Sequence, residues 1–344
     1  MKKYRVTVVG ATGAVGLEMI KMLESRKFPV KSIKFLASKR SEGKKLIYKN
    51  KDLPVELLTK NNTKNTDIAL FSAGVEVSKE FAPIFVDNGS FVIDNSSAWR
   101  MDKNIPLIVP EVNPHDLKKD KKLIANPNCS TIQMVIALKP LHDFAKVKRV
   151  IVSTYQAVSG AGQKGIDELK DQVKIWRNIE DKKRLEINPN KKFYYPIAFN
   201  LIPQIDIFTE NGYTKEEMKM TNETKKIMGD SSIEVSATCV RVPVFRSHSE
   251  SIWIETEKHI SSEQAKELLS KASGIELLDR PEKLKYPMPL FAENTQVTYV
   301  GRIRSDISTK NYALTFWVVS DNLLKGAALN AVQIAETLIK NKLI

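Results

Sequence analysis

The chain is poor in cysteine and has no long apolar run. Its 344 residues include only two cysteines, Cys129 and Cys239, which excludes a disulfide framework and a cysteine-based metal motif. No stretch approaches the ~18 consecutive apolar residues of a membrane-spanning helix, and the N-terminal run is too short for a signal peptide. These absences predict a cytoplasmic protein with no metal and no membrane partner.

Aromatic residues are also few, at 8%, and no segment shows an RNA-binding signature. The net charge is +14, which is compatible with nucleic acid, an anionic surface or small anionic ligands. The lysines are scattered, however, and no run reaches five or six like charges. We therefore interpret most of the charge as solvated surface and expect no nucleic-acid partner.

A strand-like run, Arg5–Val9, leads into glycines at every third position, and a helical pattern continues to Leu23. A strand, a glycine-rich turn and a helix open a dinucleotide-binding unit, in which the helix N-terminus faces a pyrophosphate. The alternative is a purely structural turn. The predicted cofactor contacts in this turn are Gly10, Thr12, Gly13, Ala14, Val15 and Gly16.

The second predicted strand, Ser32–Ala37, ends in a basic and hydroxylated segment instead of the acidic residue that holds the ribose of NAD. Ser38, Arg40 and Ser41 suit a 2′-phosphate, so we predict NADP as the cofactor. The alternative is a solvated loop, which fits Lys39 better than Arg40.

Small residues follow two further predicted strands, Asp67–Ser72 and Phe91–Asp94. The carboxyl ends of the strands are where a doubly wound sheet meets its ligand. We predict cofactor contacts from Ser72, Ala73, Gly74 and Asn95. Arg100 is placed either to bind an anion there or to form a surface ion pair.

Cys129 lies just before a helical pattern that spans Ile132–Ala145. The backbone N–H groups and the dipole of a helix N-terminus favour a thiolate over a thiol, and a thiolate is an activated nucleophile. The alternative is a buried structural cysteine, which is the usual state of a free cysteine.

The second half of the chain has a different texture, with alternating strands and charged helices. Strands are predicted at Lys148–Tyr155, Ile233–Val242, Ser251–Glu255 and Ala313–Val319, and helices at Lys215–Met228 and from Asn322 onward; Asp167–Lys192 is predicted as an exposed helix plus loop. This order predicts an α+β domain with a mixed or antiparallel sheet.

Five blocks taken together resemble aspartate-β-semialdehyde dehydrogenase. They occur in the family's order and spacing, and they are Gly10–Gly16, Asn95–Arg100, Asn126–Thr131, Tyr155–Gly160 and Arg241–His248. The resemblance covers essentially the whole chain. It implies a Rossmann-type NADP-binding domain, residues 1–128 with a C-terminal helix, 323–344, returning to it. It also implies an α+β catalytic and dimerisation domain, residues 129–322.

The resemblance further implies an activity: reversible, NADP-dependent reductive dephosphorylation of L-aspartyl-4-phosphate to L-aspartate 4-semialdehyde. This reaction serves lysine, diaminopimelate, threonine and methionine biosynthesis. The family is usually a homodimer, and a tetramer is the alternative.

Roles for individual residues follow from the same resemblance. Cys129 forms a thioester, His248 matches the acid/base position and Gln156 orients the intermediate. The substrate-binding residues would be Arg100, Asn128, Glu216, Lys219 and Arg241, and further cofactor contacts would come from Ser159, Gly160 and Asn322. The alternative for Glu216 and Lys219 is a simple i,i+3 ion pair. Cys239 is interpreted as core, and the other three histidines as structural or surface residues.

Four alternatives remain at this point. An N-acetyl-glutamyl-phosphate reductase would have a Gly-Cys-Tyr-Pro-like context, and a glyceraldehyde-phosphate-type dehydrogenase would have Ser-Cys-Thr-Thr-Asn; this chain has Asn-Cys-Ser-Thr. A non-catalytic NADP-binding regulator would need no Cys129–His248 pair. A basic nucleic-acid binder would need neither.

Overall fold

The computed structural model describes residues 2–176, 192–309 and 312–344. The chain divides into two compact units. Unit 1 comprises residues up to Asn128 together with Gly326–Ile344, and unit 2 comprises Cys129–Lys325. Among the described residues, no helix is long and apolar enough to cross a membrane.

The strands of the described residues, in chain order, are β1 (Tyr4–Val9), β2 (Val30–Ala37), β3 (Lys45–Tyr48), β4 (Lys51–Leu57), β5 (Ile68–Phe71), β6 (Phe91–Asp94), β7 (Leu123–Ala125), β8 (Val147–Gln156), β9 (Glu234–Arg241), β10 (His248–Thr256), β11 (Ile275–Leu277), β12 (Thr298–Ser305) and β13 (Ala313–Ser320). The α-helices are α1 (Ala14–Ser25), α2 (Val75–Asp87), α3 (Cys129–Ala145), α4 (Gln163–Trp176), α5 (Lys215–Met228), α6 (Ser262–Lys271), α7 (Pro289–Ala292) and α8 (Leu329–Lys340).

Unit 1 is a seven-stranded sheet in the order β3-β4-β2-β1-β5-β6-β7. All its pairings are parallel except that of β3 with β4. Every residue of β5 and of β6 is buried, as is typical of strands in a parallel sheet covered on both faces. This arrangement brings the carboxyl ends of β1, β2, β5 and β6 to one edge of the sheet.

The C-terminal helix α8 belongs to unit 1 and packs against α1, β5 and β6. A π-helical turn, Leu324–Ala328, precedes it and begins at the last two residues of unit 2. Arg26 at the end of α1 forms an ion pair with Glu336 on α8, with 2.7 Å between Nη2 and Oε2. The predicted return of this helix to the first domain is confirmed, although the sequence did not reveal the π-helical turn.

Unit 2 is a six-stranded mixed sheet in the order β11-β12-β13-β10-β8-β9. The β8–β9 and β11–β12 pairs are parallel, and the other pairs are antiparallel. Helices α3, α5 and α6 contact this sheet. The predicted fold class, a Rossmann-type sheet followed by an α+β sheet, is confirmed.

Two predicted boundaries in unit 2 need correction. The strand predicted at Ser251–Glu255 is longer and begins at His248, because the polar residues that open β10 are buried and pair with both neighbouring strands. The charged segment Asp167–Lys192, predicted as an exposed helix plus loop, starts inside α4, which begins earlier, at Gln163. The part of that prediction that covers residues 177–191 lies outside the described residues.

The first half of α3 is buried all round. Its nine residues from Ser130 to Leu138 are all buried, because a helix with apolar residues on every side must be enclosed by its neighbours. Cys129 is its first residue and is half-buried. The predicted helix is therefore confirmed, with the cysteine at its N-terminus.

Candidate active site

Three strands of unit 2 deliver polar side chains to one place. Gln156 is the last residue of β8 and Arg241 the last of β9, and the two are partners in the parallel register. His248 opens β10 opposite Ser320. All three predicted site residues are at least nine-tenths buried, so their surroundings determine their orientation and the charge states of Arg241 and His248.

The imidazole of His248 has no exposed surface. Its Nδ1 accepts a hydrogen bond from the backbone N–H of Ala157 at 3.0 Å, which places the ring proton on Nε2. Nε2 has no hydrogen-bond partner among the described residues. Burial, and then the positive charge of Arg241, hold the pKa of His248 well below its ordinary value. The ring is therefore a neutral donor at pH 7.

The guanidinium of Arg241 is held by the same loop. Its Nη1 donates to the carbonyl oxygen of Ala157 at 2.7 Å. Burial lowers the Arg241 pKa, while the carboxylate of Glu216 and a thiolate at Cys129 oppose that shift. Because arginine stays protonated in proteins, this site keeps a buried positive charge that would favour a thiolate at Cys129.

Gly160 supplies the space beside these two groups. A β-carbon at Gly160 would lie 2.8 Å from Arg241 Nη1 and 3.2 Å from His248 Nε2. Contacts of 2.8 Å would require the guanidinium to move. A glycine here therefore leaves the faces of both functional side chains open.

Glu216 and Lys219 lie on one face of α5. Glu216 is buried; its Oε2 accepts from Lys219 Nζ at 3.1 Å and its Oε1 from Gln156 Nε2 at 3.3 Å. Lys219 Nζ also contacts Asp206 Oδ2 at 2.9 Å. Burial alone would lower the Lys219 pKa, but the two carboxylates outweigh it and raise the pKa. The i,i+3 ion pair, which was the alternative to a substrate-binding role for these two residues, is present and includes Asp206 as a third member.

The remaining histidines and Cys239 lie apart from this cluster. His142 is nearly buried near Asp230, with 3.6 Å between Nε2 and Oδ2, His115 is exposed next to Asp116, and His259 is exposed and stacks edge-on against Tyr312. Cys239 is fully buried in the core of unit 2, and burial raises its pKa. Neither cysteine, both in the described part of the chain, forms a disulfide.

A second polar group in unit 2 centres on Asn322. Its Oδ1 accepts hydrogen bonds from Ser159 Oγ at 3.0 Å and from the backbone N–H of Ser247 at 2.9 Å. Asn322 and Ser159 were both predicted as cofactor contacts. The structure brings them together beside the residue that precedes His248.

In unit 1, the glycine-rich turn has the conformation that its sequence predicts. Gly10 has a φ of +77°, and a β-carbon there would lie 2.6 Å from the carbonyl oxygen of Ser72. A β-carbon at Gly16 would lie 2.3 Å from the carbonyl oxygen of Gly10, so only glycine fits at this position. Gly13 is the N-cap of α1 and supplies no capping side chain. The first N–H groups of α1 are thus left to a ligand or water.

The segment after β2 forms a short 3-10 turn at Lys39–Ser41. Ser38 and Arg40 are exposed, while Ser41 is buried and accepts from Thr12 Oγ1 at 3.0 Å. This hydrogen bond ties the turn to the glycine-rich loop. Arg40 stands at the surface, where an anionic ligand could reach it.

Arg100 is buried in unit 1 and donates to two backbone carbonyls. Its Nε contacts the oxygen of Asn126 and its Nη2 the oxygen of Asn95, each at 3.0 Å. These bonds fix the chain at the ends of β6 and β7. Asn128, predicted beside the pocket, is buried two residues further on.

Comparison with known proteins gives matches along nearly the whole chain. Two family models match it: semialdehyde dehydrogenase, NAD binding domain, over residues 5–120, and semialdehyde dehydrogenase, dimerisation domain, over residues 138–325. The aspartate-semialdehyde dehydrogenase of Aquifex aeolicus is 58% identical, with 99% of each chain covered. The chain belongs to the aspartate-semialdehyde dehydrogenase family.

Solved structures agree with this assignment to the aspartate-semialdehyde dehydrogenase family. Aspartate semialdehyde dehydrogenase II from Vibrio cholerae, complexed with ASA, has a TM-score of 0.93 and 47% identity, with 99% of each chain covered. The Candida albicans aspartate semialdehyde dehydrogenase with NADP has a TM-score of 0.76 and 26% identity, with both chains fully covered. The predicted resemblance is confirmed, the chain is an oxidoreductase, and the two related dehydrogenase families considered above are set aside.

One buried residue of this dehydrogenase was missed by the sequence analysis. Glu250 lies two residues after His248 on the same face of β10 and has no exposed surface. Neither carboxyl oxygen has a hydrogen-bond partner among the described residues. Burial raises its pKa well above the ordinary value, and the nearby Gln133 amide opposes the shift. The Gln133 side-chain NH₂ donates to the carbonyl oxygen of His248 at 3.4 Å, so it opposes the shift only weakly.

The Glu250→Gln variant should therefore be more stable than the wild type at neutral pH. A carboxyl whose folded-state pKa is raised contributes nothing unfavourable below its unfolded pKa of about 4.3, and it costs stability progressively above that value. Each pH unit between the two pKa values adds about 1.4 kcal/mol to the difference. Thermal unfolding at pH 4.5 and pH 8 should show a gain that grows with pH; an equal change at both pH values would contradict this.

The Gly160→Ala variant should fold but lose dehydrogenase activity. Its methyl group would displace Arg241 Nη1 and crowd His248, and misplacement by about 1 Å can cost on the order of 100-fold in rate. We expect kcat/KM to fall roughly 10- to 100-fold with little change in the unfolding midpoint. Wild-type kinetics in Gly160→Ala would show that the space is not needed.

Proposed function

We propose that this dehydrogenase catalyses the reversible, NADP-dependent reductive dephosphorylation of L-aspartyl-4-phosphate to L-aspartate 4-semialdehyde and phosphate. The reaction would serve the biosynthesis of lysine, diaminopimelate, threonine and methionine in the cytoplasm. The observation that carries the proposal is the cluster in unit 2. It combines a cysteine at a helix N-terminus, a buried neutral histidine and a buried arginine.

Cys129 acts as the nucleophile. Its thiolate, stabilised by the N-terminus of α3 and by the charge of Arg241, attacks the acyl carbon of aspartyl phosphate. The new C–S bond forms as the acyl C–O bond breaks, and phosphate leaves with the electron pair. The product is a thioester on Cys129.

NADPH, when bound, supplies the hydride that reduces this thioester. The tetrahedral oxygen that results is negatively charged, and the Nε2–H of His248 is the donor suited to stabilise it. Collapse of this species breaks the C–S bond, releases the aldehyde and regenerates the thiolate. Hydride addition and the collapse of this species take up no proton, which is consistent with a histidine that is neutral before and after these two steps. In the opposite direction, the same imidazole stabilises the oxyanion formed when the thiolate attacks the aldehyde.

The substrate groups are assigned by charge. Arg241 binds the α-carboxylate, Glu216 the ammonium group, and Gln156 orients the acyl group by hydrogen bonding. Lys219 and Arg100 are the phosphate contacts. Because Lys219 is ion-paired with Glu216 and Asp206, phosphate would have to share or replace one of those carboxylates. Asn128 shapes the pocket next to Cys129.

The cofactor is assigned mainly to unit 1. The glycine-rich turn and the uncapped start of α1 fit a pyrophosphate, and Ser38, Arg40 and Ser41 suit a 2′-phosphate. The turns after β5 and β6 supply Ser72, Ala73, Gly74 and Asn95, and unit 2 supplies Ser159, Gly160 and Asn322. Residues 1–128 with 323–344 are therefore proposed as the NADP-binding domain, and residues 129–322 as the catalytic and dimerisation domain.

The Cys129→Ala variant should abolish turnover and leave NADP binding nearly intact. Loss of a nucleophile that works as part of a catalytic unit typically costs roughly 10³-fold or more. The assay is NADP reduction with aspartate semialdehyde plus phosphate, and NADPH binding is followed by fluorescence. The matched control is Cys239→Ala, which removes the other, buried thiol. Activity retained by Cys129→Ala would disprove the thioester mechanism.

The sheet face of unit 2 that is turned away from α3 is proposed as the surface of a homodimer. Ile151 is half-exposed and pairs with Trp253 across β8 and β10, and Tyr155 contacts Trp317 with ring centroids 5.4 Å apart. Next to them, a cavity of about 310 Å³ is lined by apolar and basic residues, including Pro287, Trp317 and Arg304. An apolar and aromatic sheet face of this kind is typical of subunit interfaces.

An Ile151→Asp variant should shift the protein from dimer towards monomer. A charge in the apolar centre of a homodimer interface is desolvated without a partner. Sedimentation velocity should show a lower mass for this variant, while Ile47→Asp, at an exposed apolar position of β3 in unit 1, keeps the wild-type mass. If the wild type is a tetramer and Ile151→Asp reduces it to dimers, the sheet face forms one of the two interfaces of the tetramer. An unchanged mass in Ile151→Asp would reject this sheet face as an interface.

A further inference from the structure

Three buried or half-buried asparagines of unit 1 form a directional chain of side-chain hydrogen bonds. Asn330, in the first turn of α8, donates from Nδ2 to Asn126 Oδ1 at 2.7 Å. Asn126 in turn donates from Nδ2 to Asn95 Oδ1 at 2.7 Å. Asn126 and Asn330 have no exposed surface, while Asn95 is half-buried at the carboxyl end of β6. The chain therefore runs from the core to the edge of the sheet where ligands bind.

Two backbone carbonyls fix the direction of this chain. Asn330 Nδ2 also donates to the carbonyl oxygen of Ile108 at 2.9 Å, and Asn126 Nδ2 to that of Ala327 at 3.3 Å. A carbonyl oxygen can only accept. If either amide were turned over, its oxygen would face a carbonyl oxygen in the core and both would lose a partner, at a cost typical of buried polar groups. The orientation of both side chains is thus set by the main chain.

These fixed orientations determine which way the Asn95 side-chain amide points. Because its Oδ1 is occupied by Asn126, the Asn95 amide directs its NH₂ group away from the core, as a donor. The main chain around it is also held, since Arg100 donates to the backbone oxygens of Asn95 and Asn126 at 3.0 Å each. Neither the side chain nor the backbone of Asn95 is left to adapt when a ligand arrives.

We propose that Asn126 and Asn330 are positioning residues for the cofactor: they hold Asn95 with its NH₂ group turned to an acceptor oxygen on the nicotinamide half of NADP. This inference rests on the proposed function of unit 1. It adds two residues, one of them in the C-terminal helix, that do not touch the ligand themselves.

Strand order identifies the half of the cofactor. The 2′-phosphate segment, Lys39–Ser41, follows β2 on one side of β1, whereas Asn95 follows β6, two strands from β1 on the other side. Two strand spacings amount to roughly 10 Å. A dinucleotide whose pyrophosphate lies at the end of β1 spans the strands on both sides. The adenosine half therefore lies towards β2 and the nicotinamide half towards β6.

The decisive variant is Asn126→Asp. An aspartate still accepts from Asn330 but no longer donates, so Asn95 must turn its NH₂ group inward and present its oxygen to the ligand. We expect about a tenfold loss of NADPH affinity, corresponding to one hydrogen bond, in a fluorescence titration. Affinity for adenosine 2′,5′-bisphosphate, which lacks the nicotinamide half, should stay at the wild-type value by calorimetry.

Three further variants complete the series. Asn95→Asp changes the outward face directly and should match Asn126→Asp, and it decides the question if the buried variant fails to fold. Asn330→Leu leaves the direction of the Asn126 amide fixed only by its longer bond to the Ala327 carbonyl and should give a smaller loss. Asn104→Asp, at an exposed position in the same unit, controls for the added negative charge and should bind both ligands normally.

The outcomes distinguish a failure of the positioning role of Asn126 and Asn330 from a failure of the proposed NADP site. Wild-type NADPH affinity in both aspartate variants would overturn the positioning role, and so would an equal loss of both ligands, which would indicate a structural defect. Failure of the wild type to bind adenosine 2′,5′-bisphosphate, or its retention by Arg40→Ala, would instead count against the proposed NADP site. A loss confined to NADPH confirms the proposal.

Discussion

The backbone of one residue, Ala157, holds both buried side chains of the candidate active site, His248 and Arg241. Its N–H donates to His248 Nδ1, and its carbonyl oxygen accepts from Arg241 Nη1. The first bond fixes the tautomer of the imidazole, and the second fixes the plane of the guanidinium. The position of Ala157, just after β8 and beside the parallel partner strand β9, follows from the sheet register. The chemistry proposed for unit 2 thus depends on the main chain at the end of one strand.

Burial gives these groups their charge states. In water, histidine is divided between two charge states near neutral pH, but here burial and the neighbouring guanidinium keep the imidazole neutral. The same enclosed sheet face contains Glu250, which has no role in the proposed reaction. The burial that fixes the charge states of some polar side chains also lowers stability at buried polar side chains, such as Glu250, that have no role in the proposed reaction.

The sequence predicted the elements whose signal is local. The glycine-rich turn, the helix after Cys129 and α5, whose predicted bounds Lys215–Met228 match the structure, all have start signals within a few residues. For α5 these signals are a capping box between Thr214 and Glu217 and a left-handed Gly229 at the end. The local pattern already offered Cys129 as a nucleophile, whereas the roles of His248 and Arg241 came only from the family resemblance.

What the sequence could not predict depends on contacts between distant residues. Asn126 and Asn330 are 204 positions apart, and neither lies in a pattern that indicates a hydrogen bond. Asp206 joins Lys219 from a loop of irregular structure. The early start of β10 at His248 was missed because its first residues are polar. Strand predictions rest on apolar alternation, whereas these polar side chains are buried by the surrounding tertiary structure.

Because the two thiols are unequally buried, the number of reactive sulfurs distinguishes folded from unfolded chains of this protein. Cys239 is enclosed in the core, and Cys129 is half-buried at the start of α3. A water-soluble thiol reagent can therefore modify one sulfur per folded chain and two per unfolded chain, because reaction requires access and thiolate character. The number of sulfurs modified per chain before unfolding, divided by the number modified after unfolding, measures the fraction of a preparation that has an intact site, without any substrate.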